Sequence, residues 1–335
     1  MTVQYVLHDR SILLPHVTRW IVQPLERRIP RSVSANALTL SSVTCAATGF
    51  TIALSTTPSR LSLFIVALLF TAYTLLDNLD GPHARAMGTS SPLGEFLDHW
   101  LDCLNGLFVF VGTVYALGVT DQRTLAIVAI MVASVSLTFW EQRVTGRMYM
   151  GRVGTLEGLA MVLGLLFAVA ALGPDAIRTV TWHGYDGVDL FVLLAVFAGG
   201  ATIVGPMSRT GKRLGEAAAI LVVLAGFVAW GVRGQVPILA VFILVALTGP
   251  LTGGRRLMGR VVKDDAIGPL PIVLQVAFLL ALAAALGAVP PDAQPPLAWS
   301  LVALLAGQVL LDFRRGVRLL GAYVKPNELL ARLLP

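Results

Sequence analysis

The stretch from Asp77 to Asp102 reads DNLDGPHARAMGTSSPLGEFLDHWLD and carries four aspartates in two pairs, Asp77 with Asp80 and Asp98 with Asp102. The first pair is spaced by three residues and the second by four, so on helices each pair shares one face. Four carboxylates gathered in one small volume cannot all stay ionised without compensating charge. All-oxygen ligation suits a hard divalent cation, Mg2+ or Mn2+, rather than zinc. Two divalent cations held among Asp77, Asp80, Asp98 and Asp102 make a clamp suited to displacement at phosphorus, where attacking and leaving oxygens both need stabilising. A solvated acidic loop, or ion pairing with Arg85 and its neighbours, would not require helical spacing on both sides. The residues between the pairs suit a nucleotide diphosphate. Gly81 leaves room for close backbone approach, Ala84 is small, and Arg85 can hold phosphate oxygens in a bidentate fork. Gly94 can let a ligand lie against the start of the next helix.

The elements that position these residues belong to a membrane. Of 335 residues, 56% are hydrophobic and 13% charged, and the mean hydropathy is +0.77. A soluble domain carries roughly 25% charged residues, so this surface meets something other than water. The apolar residues fall into ten runs long enough to span a bilayer, near 37–56, 61–79, 94–118, 123–142, 155–174, 188–207, 215–232, 235–252, 267–288 and 296–313. The expected fold is an all-α, polytopic membrane helix bundle of about ten transmembrane helices.

With the N-terminus inside, 21 of the Lys and Arg residues fall in inside segments. Four (Arg60, Arg123, Arg178 and Arg233) fall outside. That bias sets both termini and the aspartates on the cytoplasmic side. It also argues that the net charge of +6 serves topology rather than nucleic acid. Residues 10–30 mix Ile, Leu, Val and Trp with Arg and read as an interfacial amphipathic helix, broken by Pro15 and Pro24. The start of the chain has no apolar core of signal-peptide length. Cys45 and Cys103 read as small buried hydrophobes. The expected organisation is a cytoplasmic arm (1–35), a catalytic core (36–210) and C-terminal helices (211–335) for packing, lipid entry or dimerisation, with no visible chemistry in spans seven to ten.

Acidic residues in membrane helices are costly, about 2.5–3.5 kcal/mol each at the helix centre, and default to function. The second span runs inward and the third outward, so both aspartate pairs sit at neighbouring cytoplasmic helix ends. Glu141 closes the fourth span and Glu157 opens the fifth, at the same depth. Glu157 is a candidate for orienting His99 or holding a cationic head group. Glu141 stays open between function and an ion pair with Arg143 or Arg152. His99 titrates near neutral pH and competes with Asp102 for the role of general base. A metal-ion transporter is disfavoured because the carboxylates collect at one boundary, while Asp121, Asp175, Asp186, Asp189 and Asp292 mark no intramembrane path.

Asp77, Asp80, Gly81, Ala84, Arg85, Gly94, Asp98 and Asp102 fit D-x2-D-G-x2-A-R-x8-G-x3-D-x3-D without departure. On these residues the chain resembles the CDP-alcohol phosphotransferase (CDP-alcohol phosphatidyltransferase) family. DNLDG, SSPLGE, Asp98–His99 and NALTL (Asn36 to Leu40) look like the choline/ethanolamine phosphotransferase branch, as does the set Trp140, Glu141, Thr145, Gly146, Gly154, Glu157 and Gly158. Pro82 and His83 stand where that branch has Lys-Gln, and Trp100 where it has Gly, beside the expected donor pocket.

The resemblance implies a CDP-alcohol donor bound over two metals, with Asp77, Asp80 and Asp98 as metal ligands and Asp102 as base and second-metal ligand. It also implies a homodimer. The expected reaction moves ethanolamine or choline phosphate to a lipid hydroxyl of the diacylglycerol type and releases CMP, with no nucleic-acid partner. The alternative is a phosphatidyl transfer from CDP-diacylglycerol to a soluble alcohol such as inositol, serine or glycerol phosphate, for which Arg143, Arg147 and Arg152 could supply anion binding.

Overall fold

A computed structural model describes residues 6–152, 154–211, 214–233, 235–264, 267 and 270–321. Lys212, Arg213, Lys325 and Arg332, counted in the charge bias, lie outside the described residues.

Helix starts are written locally. Ser34 accepts the backbone N–H of Ala37, Ser59 that of Ser62, and Ser91 that of Gly94, with Pro92 in the first turn. These are the small oxygen-bearing caps and the N-terminal proline that satisfy or remove free donors. The resulting elements, in chain order, begin with strand β1 (Val6–Asp9) and a helical stretch α1 over 14–26. Next come α2 (Ala35–Ser55), α3 (Arg60–Ala86) and α4 over 92–116, which contains a π-turn at Leu107–Val111. Then follow α5 (Gln122–Thr145), β2 (Arg147–Met150), α6 (Thr155–Leu172) and α7 (Gly187–Thr210). The last four helices are α8 (Leu214–Val232), α9 (Ile238–Val262), α10 (Ile272–Ala285) and α11 (Gln294–Gly321). Among the described residues, eight helices are long and apolar enough to cross a bilayer. The carboxylate-bearing α4 and the 14-residue α10 bring α2–α11 to the ten expected. The chain is an all-α integral membrane bundle.

Three boundaries differ from the sequence reading, each for a tertiary reason. α3 runs through Pro82 to Ala86 rather than stopping near 79. Pro82 cannot donate to the carbonyl four residues back, but buried contacts fix both flanks, Asp80 to Thr39 and His83 to Val33. α9 continues past Gly253 and Gly254 to Val262 because Arg255 and Arg256 are buried against acidic partners. α1 is not broken at its prolines. Pro15 falls in the first turn, and a π-segment at Thr18–Val22 precedes Pro24. Its Trp20 is 69% exposed while Val22 is buried on Leu38 and Leu79, the two-faced burial of an interfacial helix.

The membrane helices approach closely where small residues permit. A Cβ at Gly49 would lie 2.7 Å from Phe70, and one at Gly199 would lie 2.2 Å from Ile130. These glycines seat α2 on α3 and α7 on α5. α6 packs on α3, and α9 runs through the middle against α4, α5, α8 and α11. One continuous buried cluster extends from Ala46 to Leu320 and takes residues from both sides of position 210. Two small pairings add to the helices. β1 lies parallel to β2, Val6 opposite Arg147 through Asp9 opposite Met150, and Thr181–Trp182 pairs with Tyr185–Asp186 in the connection before α7.

Candidate active site

Because α3 is one unbroken helix, Asp77, Asp80, Gly81, Ala84 and Arg85 stand at i, i+3, i+4, i+7 and i+8 on a single face. Gly94, Asp98 and Asp102 stand at i, i+4 and i+8 on α4. The eight-residue pattern is thus two facing helical stripes. They meet: the Asp77 and Asp102 side chains come within hydrogen-bonding reach, and Asp98 and Asp80 lie within the electrostatic reach of both. Asp98, His99 and Asp102 offer donor atoms that all lie within 4.8 Å of one another, and His99 Nδ1 is 3.4 Å from Asp98 Oδ2.

Asp80 is 5% exposed and accepts a 2.5 Å hydrogen bond from Thr39 Oγ1 on α2. Asn105 Nδ2 sits 3.5 Å from Asp102 Oδ1. The Tyr73 phenol, one turn before Asp77, hydrogen-bonds with Asn105 and faces Asp77, Asp98 and Asp102. Four carboxylates therefore share a half-buried space against one exposed arginine, Arg85, and one imidazole. A donor set so rich in oxygen and so poor in positive charge fits hard divalent cations.

The glycines behave differently from expectation. A Cβ at Gly81 would lie 3.3 Å from the Arg85 guanidinium, so the room at Gly81 lets Arg85 fold back along its own helix. A Cβ at Gly94 would meet Ser91 and, at 3.5 Å, Asn36 Oδ1. Gly94 therefore faces Asn36 of α2, with ordinary contact distance to spare.

The two glutamates are engaged by partners other than the aspartates and His99. Glu157 Oε1 accepts from Ser11 Oγ at 2.5 Å and from the Leu13 N–H at 2.9 Å. Its Oε2 accepts from the Gly154 N–H at 2.8 Å. Both oxygens are occupied in capping α6 and tying down the N-terminal arm. Glu141, fully buried, is gripped by Arg209 at 2.5 and 2.8 Å, an ion pair from α7 rather than from Arg143 or Arg152. The departures from the choline/ethanolamine pattern also point elsewhere. His83 Nε2 contacts the Val33 carbonyl at 2.9 Å and Nδ1 lies 3.4 Å from Glu26, pinning α1. Trp100 is buried 4.7 Å from Phe313 and against Gly254.

Spans seven to ten carry chemistry that the sequence reading missed. Arg260 of α9 forms an ion pair with Glu95, one turn before His99. Arg255 donates to both oxygens of Asp312 at 2.6 and 2.7 Å, and Arg256 lies 3.5 Å from Glu216. The GGRR string at Gly253–Arg256 was the available signal, but only the fold joins it to its partners. At the other end of the bundle, Arg123 gathers Asp121, Asp186 and Asp189 at 2.8, 3.3 and 2.6 Å. The Asp189 N–H and Arg123 hold Asp186 below the usual carboxylate range. These aspartates form a clasp, not an ion path.

A cavity of about 190 Å³ opens from Asp102. Single faces of α4, α5, α6 and α7 line it, together with Tyr73 and the strand β2. Its walls are mostly Val, Ile, Leu, Phe, Met, Ala and Gly, and Asp102 is the one charged residue among its lining residues.

Residues 32–196 match the sequence profile described as CDP-alcohol phosphatidyltransferase. The chain is 32% identical over 229 residues to the CDP-diacylglycerol--serine O-phosphatidyltransferase of Encephalitozoon cuniculi, covering 61% of this chain and 58% of that protein. It is 28% identical over 221 residues to choline/ethanolaminephosphotransferase 1 of Saccharomyces cerevisiae, 58% of this chain and 54% of that one. To cholinephosphotransferase 1 of Gallus gallus it is 28% identical over 211 residues, 59% and 61% respectively. The matches thus span little more than half the length of these relatives.

Proposed function

From a chain that belongs to the CDP-alcohol phosphatidyltransferase family, we propose an enzyme that moves ethanolamine or choline phosphate from a CDP-alcohol to the hydroxyl of a diacylglycerol-like lipid, releasing CMP. The observation that carries this reading is the apolar cavity with Asp102 at its end. An acceptor whose chains lie among Val109, Phe110, Met131 and Leu159 brings its hydroxyl to the one carboxylate in that wall. Asp102 takes the hydroxyl proton. His99 is not among the cavity-lining residues, which favours Asp102 as the base, with His99 holding Asp98. Arg85, exposed at the end of the α3 stripe, grips the donor's phosphate oxygens in a charge-assisted fork. Thr39 and Asn105 fix Asp80 and Asp102. Two Mg2+ or Mn2+ ions held by Asp77, Asp80, Asp98 and Asp102 would neutralise the pyrophosphate and the charge left on departing CMP. The arginine bias supports a cytoplasmic placement of this end of the bundle.

A second reading, phosphatidyl transfer from CDP-diacylglycerol to a soluble alcohol, draws support from the serine phosphatidyltransferase relative. It is the weaker one because such acceptors are strongly polar or charged, whereas the cavity at Asp102 is mostly apolar and no Lys or Arg is among its lining residues. Arg143 instead lies against Gly259, and Arg147 reaches the Tyr149 hydroxyl at 3.4 Å.

The test is purified protein with CMP release as readout. It is offered CDP-ethanolamine or CDP-choline with diacylglycerol, and separately CDP-diacylglycerol with serine or inositol. Cation-dependent CMP release in the first mixture, absent in Asp98→Asn, is expected. Release confined to the second mixture would replace the first reading by the second.

A further inference from the structure

Of the four helices that line the cavity, two are not packed on each other. α6 packs on α3 and α7 packs on α5, while among the described residues α6 and α7 scarcely meet each other. Both touch the short helical turn Ala176–Thr179 in their connection and then diverge, leaving a gap that faces the bilayer. Its two edges are residues that line the cavity and are also exposed, Met161 on α6 (38%) and Leu194 on α7 (47%). Along α4 the lining runs from Asp102 to Thr113, and along α7 from Phe191 to Thr202. Eleven residues of helix rise about 16 Å, half of a hydrocarbon core of about 30 Å. The cavity is therefore as deep as one leaflet, starting at the carboxylate end.

At the lower part of the gap stands Gly158, one of the residues that resembles the choline/ethanolamine pattern and has no other task in the site. It lines the cavity, and a Cβ built there meets nothing within 4 Å. Its missing side chain is not needed for helix packing, since Gly158 does not seat α6 against a neighbour as Gly199 seats α7. Glycine inside a helix costs roughly 0.5–1 kcal/mol relative to alanine, and here the open space toward the gap is what that cost leaves free.

We propose that the α6–α7 gap is the lateral doorway through which the lipid acceptor slides its chains from the leaflet to Asp102, with Gly158 as its sill. The doorway rests on the proposed lipid-acceptor reading and adds the route and the residue that limits acceptor bulk. Membrane continuity fits a lipid occupant: a chain entering sideways stays among mostly apolar, uncharged groups, and its hydroxyl end reaches the one charged lining residue, Asp102, beside Tyr73 and Asn105.

The experiment uses the full chain in nanodiscs with a diacylglycerol bearing a photoactivatable group on its acyl chain, alongside CMP release from a CDP-alcohol. Gly158→Trp fills the sill. Gly164→Trp, also on α6, is exposed, has open space at its Cβ and does not line the cavity, so it is the matched control. Ala198→Trp narrows the opposite wall. Labelling of the wild type is expected to map to α6 and α7. Gly158→Trp and Ala198→Trp should lose about tenfold or more of that label and of turnover with long-chain acceptor, the scale on which an apolar pocket rejects added bulk. Gly164→Trp should stay within about twofold on the same scale. Label that maps to other helices, or a Gly158→Trp protein indistinguishable from Gly164→Trp, overturns the doorway. A wild type labelled at α6–α7 that releases no CMP from any CDP-alcohol keeps the lipid doorway and overturns the transfer reading instead.

Discussion

Replacing Thr39 by valine removes one hydroxyl from a buried contact and keeps the shape of the side chain. Thr39 Oγ1 donates to Asp80 Oδ2 at 2.5 Å, and the two residues are 4% and 5% exposed, so water cannot take over the bond. A hydrogen bond to a charged group contributes about 1.5–3 kcal/mol, which is roughly 10- to 150-fold in an equilibrium constant. If Asp80 is a cation ligand, that energy appears as cation affinity, in line with the roughly 10- to 100-fold effect of removing partners that orient metal ligands. The cation concentration for half-maximal CMP release should therefore rise by one to two orders of magnitude in Thr39→Val. The rate at saturating cation should stay within about threefold, a loss of under 1 kcal/mol. Thr39→Ser, which keeps the donor, should remain near the wild type. A Thr39→Val protein with unchanged cation requirement would refute the placement of Asp80 at a metal. A loss that no cation concentration restores would show that Thr39 acts through packing of α2 on α3 instead.

Glu157→Gln keeps one acceptor oxygen and loses the other, so the Gly154 cap and the Ser11–Leu13 tether can no longer both be served. The N-terminal arm should detach at a cost of about 1–3 kcal/mol, read as faster tryptic cleavage at Arg10 and Arg19. An unchanged digestion pattern would count against the tether. Arg255→Met strands Asp312 in the core and should cost about 3–5 kcal/mol, while Arg255→Met with Asp312→Leu should recover most of it. Thermal unfolding in detergent measures both, and a double variant no better than the single one would refute pairing as the reason Arg255 is buried.

The aspartate stripes were legible because their spacing is itself helical. Three- and four-residue intervals on either side of a short loop leave few other arrangements, and α3 and α4 bring those stripes face to face. Helix number was legible for the same kind of reason, since bilayer thickness sets run length. What stayed hidden depends on distant pairs. Nothing adjacent to Thr39 marks it as a partner of Asp80, because the contact is made across α2 and α3. Glu95 with Arg260 and Arg255 with Asp312 join helices far apart in sequence, so a reading by local pattern found no chemistry in spans seven to ten. Glu157 shows the opposite error. Depth and charge placed it near the aspartates, yet a capping position three residues after Gly154 was the stronger local signal. The apolar run ends near 79, yet α3 continues through Pro82 to Ala86 because buried contacts hold both flanks.

The tether between Ser11 and Glu157 spans 146 residues of sequence, and this has a consequence for biogenesis. The arm leaves the ribosome ahead of the membrane helices, and the strand it pairs with and the glutamate that holds it come only after four of them. At about 5–20 residues per second, it waits roughly 7 to 30 seconds for them. Throughout that interval α1 can rest on the membrane surface with Trp20 in the interface, a parking place near its destination. Closure of the arm is thereby a late event, reporting that the helices up to α6 have been inserted in the right order.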